Sequence, residues 1–455
     1  MHERSSKLKI IYKYLVSAII LAVPLYPKFP LIEVPGTFVS VRLEDFLLAL
    51  TFSFFVLISI TRLKNLLKSD IVIGILLFLI IGLVSTLFGI IVLKTVLPHL
   101  GILHWIRRIE YFTAFFIGIL AIKLNKGDLN YYVKLFLIVI VLCFIYGFGQ
   151  KHFYWPIIIT QNAEYSKGVA LRYIPGSHVN STFAGHYDLS TFLVLTLPFL
   201  IALFFILKKY RDKLLIGGVI FMGLWLMVNA ASRISLFSYL LATTLSLLML
   251  KKYKEILVIF VISLVFVGYS SNLIARYSRV FDVLKGKYLI NYSLTAPLVF
   301  ASENLVSPRR DHPTPTPTPQ PPIEDRSTSI RLNVEWPRAI RALIKNPFLG
   351  TGFSSITLAT DNDYLRLLGE VGLLGFASFL LIFVRLLKDI LLKFPFSLHF
   401  QRLELAFITG VSASLIGVGI NAFFIDVFEA SKFVIVFWLL VGIIIGMVDN
   451  HIYEE

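Results

Sequence analysis

Apolar stretches recur along the chain at about 10–26, 45–61, 71–93, 109–122, 131–149, 187–207, 214–230, 233–250, 256–270, 371–387, 405–425 and 433–448. Most approach ~20 residues, the length at which a helix crosses the ~30 Å hydrocarbon core of a bilayer. The pattern predicts an all-α, polytopic membrane protein of about twelve transmembrane helices. Two longer polar intervals interrupt it, near 150–186 and near 271–370, the second falling between spans nine and ten. The chain is accordingly expected to divide into an N-terminal membrane region, 1–270, a large loop, 271–370, and a C-terminal membrane region of three spans, 371–455.

Charge sets the expected orientation. One set of alternate ends holds the N-terminus, Arg62/Lys64/Lys68, Lys123/Lys126, Lys208/Lys209/Arg211/Lys213, Lys251/Lys252/Lys254 and Arg385/Lys388/Lys393/Arg402. Basic loops stay on the cytoplasmic side, so both termini are expected in the cytoplasm and both long intervals outside the cytoplasmic (inner) membrane. The first run follows Lys7, Lys9 and Lys13 and ends at Pro24-Leu25-Tyr26-Pro27 with no small-x-small pattern. That reads as an uncleaved first helix instead of a secretory signal.

Composition removes several classes. A mean hydropathy of +0.81 with only 15% charged residues lies well below the ~25% charge of a soluble domain. The net charge of +16 would suit nucleic acid, but the basic residues cluster in short inter-helix loops. The lipid bilayer and an anionic ligand are the expected partners, with no nucleic acid. The single cysteine, Cys143, lies inside an apolar run, and no metal-ligand spacing appears. No disulfide, metal or cofactor is expected.

The large loop has two parts. Pro313-Thr314-Pro315-Thr316-Pro317-Thr318-Pro319 belongs to a low-complexity stretch, 307–328, expected to be a disordered, extended insertion. Residues 330–345 instead suit an amphipathic helix, with Arg331, Glu335, Arg338 and Lys345 on one face and Leu332, Trp336, Ile340 and Leu343 on the other. Pro337 is expected to kink that helix or start it afresh. Asn346-Pro347-Phe348-Leu349-Gly350-Thr351-Gly352 reads as a stop and turn, and Asp361-Asn362-Asp363 leads into the next span.

Arginine accumulates where orientation disfavours it: Arg42, Arg107, Arg108, Arg172, Arg233, Arg331, Arg338, Arg341 and Arg366 fall on the expected outer side or its boundary. Arg107 and Arg108 with Glu110 read as an interfacial anchor and ion pair. Arg233 is sharper. It sits in Asn229-Ala230-Ala231-Ser232-Arg233, a hinge too short to leave the membrane surface. An ionisable residue there is a functional candidate, against the alternative that it snorkels to headgroups. Guanidinium groups bind phosphate in a bidentate way, so a cluster at the outer surface suits a lipid-linked diphosphate.

Arg331-x-x-x-x-Trp336, then Asn346-Pro347-Phe348-Leu349-Gly350-Thr351-Gly352, then Asn362-x-Tyr364-Leu365-x-x-Leu368-x-Glu370-x-Gly372-Leu373-Leu374-Gly375 resembles the O-antigen ligase and polymerase superfamily. Ser232-Arg233 and Ser181-Thr182-Phe183-Ala184-Gly185-His186 are similar to two weaker patterns of that family. The resemblance implies a metal-independent glycosyltransferase. It would take a glycan from undecaprenyl diphosphate on the outer face and pass it to a glycan or glycolipid acceptor. It also implies that Arg233 and Arg331 contact the diphosphate. Arg338 and Arg341 are supporting candidates from the helix face, and His186, Glu370 and Tyr364 are further substrate-binding candidates. Many ligases of the family carry His-Asn where this chain has Asp361-Asn362. Asp361 is then either a general base for a sugar hydroxyl or a helix cap, a role open equally to Asn362 and Asp363. The rival reading from another class is a transporter or a flippase for lipid-linked glycans.

Overall fold

Each of the twelve apolar runs centres on a helix in the computed structural model, which describes residues 2–27, 29, 31–32, 34–35, 40–61, 63–157, 173–269, 329–357 and 359–449. The N-terminal part contains α1 (His2–Leu25), α2 (Leu43–Ser59), α3 (Leu63–Leu66), α4 (Asp70–Ile91), α5 (Pro98–Leu124) and α6 (Asp128–Phe153). It continues with α7 (His186–Ile206), α8 (Tyr210–Ala230), α9 (Arg233–Met249) and α10 (Tyr253–Gly268). A π-helical turn, Arg331–Glu335, leads into α11 (Trp336–Lys345), and α12 (Asp363–Leu391), α13 (Arg402–Asn421) and α14 (Ser431–Val448) complete the order. Arg172, the Pro313–Pro319 run and the rest of 270–328 lie outside the described residues. Among the described residues there is no strand, and an isolated bridge joins Ile32 and Val41.

Eight of these helices are long and apolar enough to cross a membrane: α1, α4, α6, α7, α8, α12, α13 and α14. The other four runs fall short for identifiable reasons. The helices α2, α9 and α10 have 17, 17 and 16 residues. In α5, with 27 residues, Arg107, Arg108 and Glu110 interrupt the apolar sequence.

The centre of the bundle is apolar on every side. All of the apolar stretch of α14 is buried, as is 83% of that in α7, whereas α4, α10 and α12 keep outward rows of exposed Leu, Ile, Val and Phe. A helix that is apolar all round belongs inside a bundle, and one apolar outward row is what lipid contact requires. Helix α14 packs along α5, and α13 packs on α7 and α9. Close approach is made possible by small residues: a Cβ at Gly442 of α14 would collide with the Phe115 carbonyl oxygen of α5. Gly442 and Gly446 form the small-x-x-x-small spacing that lets membrane helices touch backbone to backbone.

Contacts between helix ends bring several of the ends expected outside together. There Lys432 of α14 donates to the carbonyls of Pro24 (3.2 Å) and Thr182 (2.7 Å), and Arg107 pairs with Asp45 (2.6 Å) and Glu110 (2.7 Å). The opposite end carries Lys13–Asp128 (2.7 Å) and the Arg385–Asp70 pair.

Helix α12 is broken at Gly372, whose backbone (φ 66°, ψ −170°) is not helical. The break frees backbone groups that water cannot reach in a bilayer. The Asn346–Gly352 turn takes them: Thr351 N–H donates to Gly369 O (3.0 Å), Gly352 N–H to Glu370 O (2.8 Å), Leu373 N–H to Pro347 O (2.8 Å) and Leu374 N–H to Phe348 O (3.2 Å). The Ser85 hydroxyl of α4 adds a bond to Glu370 O (2.8 Å). The predicted stop and turn is thus a splint for a split helix.

Candidate active site

The predicted amphipathic helix begins with a wider turn. Trp336 N–H bonds to Arg331 O, and regular α-helix starts only at Trp336, with Pro337 in its first turn. A π-turn re-aims side chains relative to an α-helix, and here it sends Arg331 inward. Arg331 is 8% exposed, while Leu332 and Ile340, on the expected apolar face, are 52% and 42% exposed. The two faces expected of an α-helix are mixed as a result, with Trp336 and Leu343 half-buried and Lys345 exposed.

What receives Arg331 is Asp361. The guanidinium donates from Nε (3.0 Å) and Nη2 (2.8 Å) to the same carboxylate oxygen, and Nη2 also reaches the Tyr187 hydroxyl (3.4 Å). Burial pushes the Asp361 carboxyl above its ordinary value, outweighing the downward pull of Arg331. For Arg331 burial acts downward, yet Asp361 and Tyr187 more than offset it and the guanidinium stays charged.

Asp361 is not the helix cap. Asn362 caps α12, its Oδ1 accepting from Leu365 N–H (3.0 Å), and Asp363 accepts from Val427 N–H (2.7 Å) and Phe428 N–H (3.1 Å). Asp361 itself is left-handed (φ 49°). Asp426, between α13 and α14, imposes that conformation by accepting from the amides on both sides, Thr360 N–H (2.8 Å) and Asn362 N–H (3.0 Å). It also pairs with Arg366 (3.1 Å).

Arg233 begins α9, directly after a left-handed Ala231 (φ 53°) and the cap Ser232. It is half-buried. Beneath it, the Ser235 hydroxyl contacts Ser190 Oγ (2.9 Å), and Asn421 Nδ2 donates to Ser235 Oγ and Thr191 Oγ1 (both 3.1 Å), tying α9, α7 and α13 together. Ser190 in turn donates to Tyr187 O (3.0 Å). A polar thread therefore runs from the start of α9 to the Arg331–Asp361 pair.

The remaining candidates are dispersed. The His186 ring lies tilted against Tyr187 (4.1 Å) and His178 (4.2 Å), so it borders the pair. The Tyr364 hydroxyl donates to Gly419 O (2.8 Å) and its ring lies on Phe423 (4.4 Å), a packing role. Glu370 is buried and faces Arg366 (3.7 Å), within a charge cluster beneath the site. Arg338 is half-buried and Arg341 exposed on α11. Among the described residues no group of three or more His, Cys, Asp or Glu could hold a metal.

Residues 217–380, which contain Arg233, Arg331 and Asp361, match the family model described as O-antigen ligase. Over that stretch the chain is similar to the O-antigen ligase family. No curated protein matches it. The charge cluster near the site lies partly beyond the matched stretch, and of its members Asp426 and Glu429 were not singled out from the sequence. Arg108 donates to Phe428 O (2.9 Å) and pairs with Glu429, which also faces Arg366 (3.5 Å). A signal existed: Asp426 and Glu429 are the two carboxylates in a short interval between two apolar runs.

Glu429 gives a stability prediction. Burial would raise its carboxyl, but Arg108 and Arg366 win and hold it at about 2 against an ordinary 4.5. A depressed carboxylate stabilises the fold above the unfolded value and ceases to as pH falls through the folded one. In detergent, melting temperature should drop between pH 4.5 and 2, and the drop should be smaller in Glu429→Gln. Equal losses in both proteins would remove Glu429 as the cause.

Proposed function

We propose that this protein moves a glycan from undecaprenyl diphosphate to an acceptor sugar or lipid at the outer face of the cytoplasmic membrane. The observation that carries this reading is the buried Arg331, oriented by Asp361 and Tyr187 inside the segment matching O-antigen ligase. Its two bonds to Asp361 engage Nε and Nη2, which leaves the Nη1 edge for a phosphate oxygen. Arg331 and Arg233 would hold the diphosphate and stabilise charge as the anomeric bond to it breaks. A carboxylate beside them takes the proton of the attacking hydroxyl. Asp361 is one candidate, although its bonds to Arg331 compete with that duty. Twelve spans, read from the apolar runs, and cytoplasmic termini, read from the Lys and Arg bias of the loops, would put this end of the bundle outside.

The test uses purified full-length protein, lipid-linked glycan extracted with its acceptor from membranes, and detection of released undecaprenyl diphosphate. Turnover is expected, with a loss of about 10²-fold or more in Arg233→Ala. Translocation of the intact glycolipid across vesicles without bond cleavage would replace this reading with that of a flippase.

A further inference from the structure

Glu335 closes the π-turn that Arg331 opens. It lies within electrostatic range of the ion pair, and the charged groups that act on it are Asp361, Arg331, Asp426 and Arg338. It is half-buried, and its Oε2 is buried yet accepts no hydrogen bond. Among the atoms that share that condition, Trp336 Nε1 and Thr360 Oγ1 lie in the same two segments. Trp336 adjoins Glu335 in the chain, and Thr360 adjoins Asp361. Buried polar atoms without partners are rare in folded proteins and mark places where a ligand or water completes the set. An acceptor, a donor and a hydroxyl on the two segments that meet at the ion pair match what a sugar offers.

Asp361 and Glu335 differ in what they are free to do. Asp361 Oδ2 already accepts two bonds from Arg331, whereas the described residues give Glu335 no hydrogen-bond partner for Oε2. We infer that Glu335 is the base that takes the proton from the acceptor hydroxyl, and that Asp361 holds Arg331. This rests on the glycan-transfer reading. In the step, the acceptor O–H proton passes to the Glu335 carboxylate while the acceptor oxygen bonds to the anomeric carbon. The bond from that carbon to the diphosphate oxygen breaks, and its electron pair leaves with undecaprenyl diphosphate. Burial first, then the negative charge of Asp361, raises the Glu335 carboxyl to about 7 against the pull of Arg331. A base of that affinity works near neutral pH.

The experiment compares the full-length protein with Glu335→Gln and Glu335→Asp, using the extracted lipid-linked glycan and acceptor across a pH series. Glu335→Gln is expected to lower kcat by about 10²-fold or more with donor KM within about twofold, since the donor contacts lie on the arginines. The unsubstituted protein should lose rate below about pH 7, and the residual rate of Glu335→Gln should lack that limb. Glu335→Asp should restore part of the rate and the limb. An infrared pH-difference spectrum, which needs no substrate, should show a carboxylic-acid band titrating in the same range and missing from Glu335→Gln. A Glu335→Gln protein with normal rate and an intact limb overturns the base while leaving glycan transfer standing. An unsubstituted protein that releases no undecaprenyl diphosphate overturns both.

Discussion

Arg331→Ala is expected to lower turnover by about 10²–10³-fold, the range found when one preorganised donor to a developing oxyanion is removed. Lysine should not rescue it, because an ammonium cannot present the planar fork that grips Asp361 through Nε and Nη2 at once. Alanine also leaves Asp361 without its partner. The Asp361 side chain keeps 24% exposure, so the stability cost should be roughly 1–2 kcal/mol, between the values for surface and fully buried pairs. That difference separates fold from chemistry. Adding Asp361→Ala to Arg331→Ala should return most of the stability and none of the turnover. Melting temperature and undecaprenyl diphosphate release, measured on the same preparations, decide it. An Arg331→Ala enzyme that works at the normal rate sinks the proposed diphosphate clamp.

Gly372→Ala is expected to destabilise the protein by about 3 kcal/mol or more. Two effects add. The residue lies at φ 66° and ψ −170°, a region open almost only to glycine and costing any other residue ~1–3 kcal/mol. A Cβ there would also run into the Phe348 carbonyl, part of the turn that satisfies the broken helix. Relief by straightening α12 is blocked, since Leu373 and Leu374 already donate to Pro347 and Phe348. Gly268, with nothing within 4 Å of its would-be Cβ, is the control and should tolerate alanine. Comparable melting temperatures for the two variants would mean the break in α12 is optional.

Much of this was legible in the sequence because the bilayer makes apolar runs obligatory. All twelve runs centre on helices, and the restart at Pro337 and the turn at 346–352 were also readable. The span count was less so: α5 carries Arg107, Arg108 and Glu110 inside its helix, and a hydropathy reading cannot see that Asp45 and Glu429 neutralise two of them. The candidate site was half legible. Arg331, Arg233 and Asp361 stand in recognisable surroundings, but that Arg331 and Asp361 are partners depends on a π-turn, which has no signature in residue type. Asp426 was invisible for a different reason. Its role lies in two backbone amides more than sixty residues away, and an amide leaves no trace in side-chain identity.

That grip by Asp426 has a consequence for how such a protein diversifies. The position of Asp361 is dictated by a carboxylate between α13 and α14, so the segment bearing Asp361 contributes little to its own shape. The side chain that fixes the backbone at Asp361 is thus encoded more than sixty residues away from Asp361 itself. Substitutions in the 353–359 stretch can then accumulate by drift without unseating Asp361, because the backbone around it is held by a carboxylate encoded far downstream.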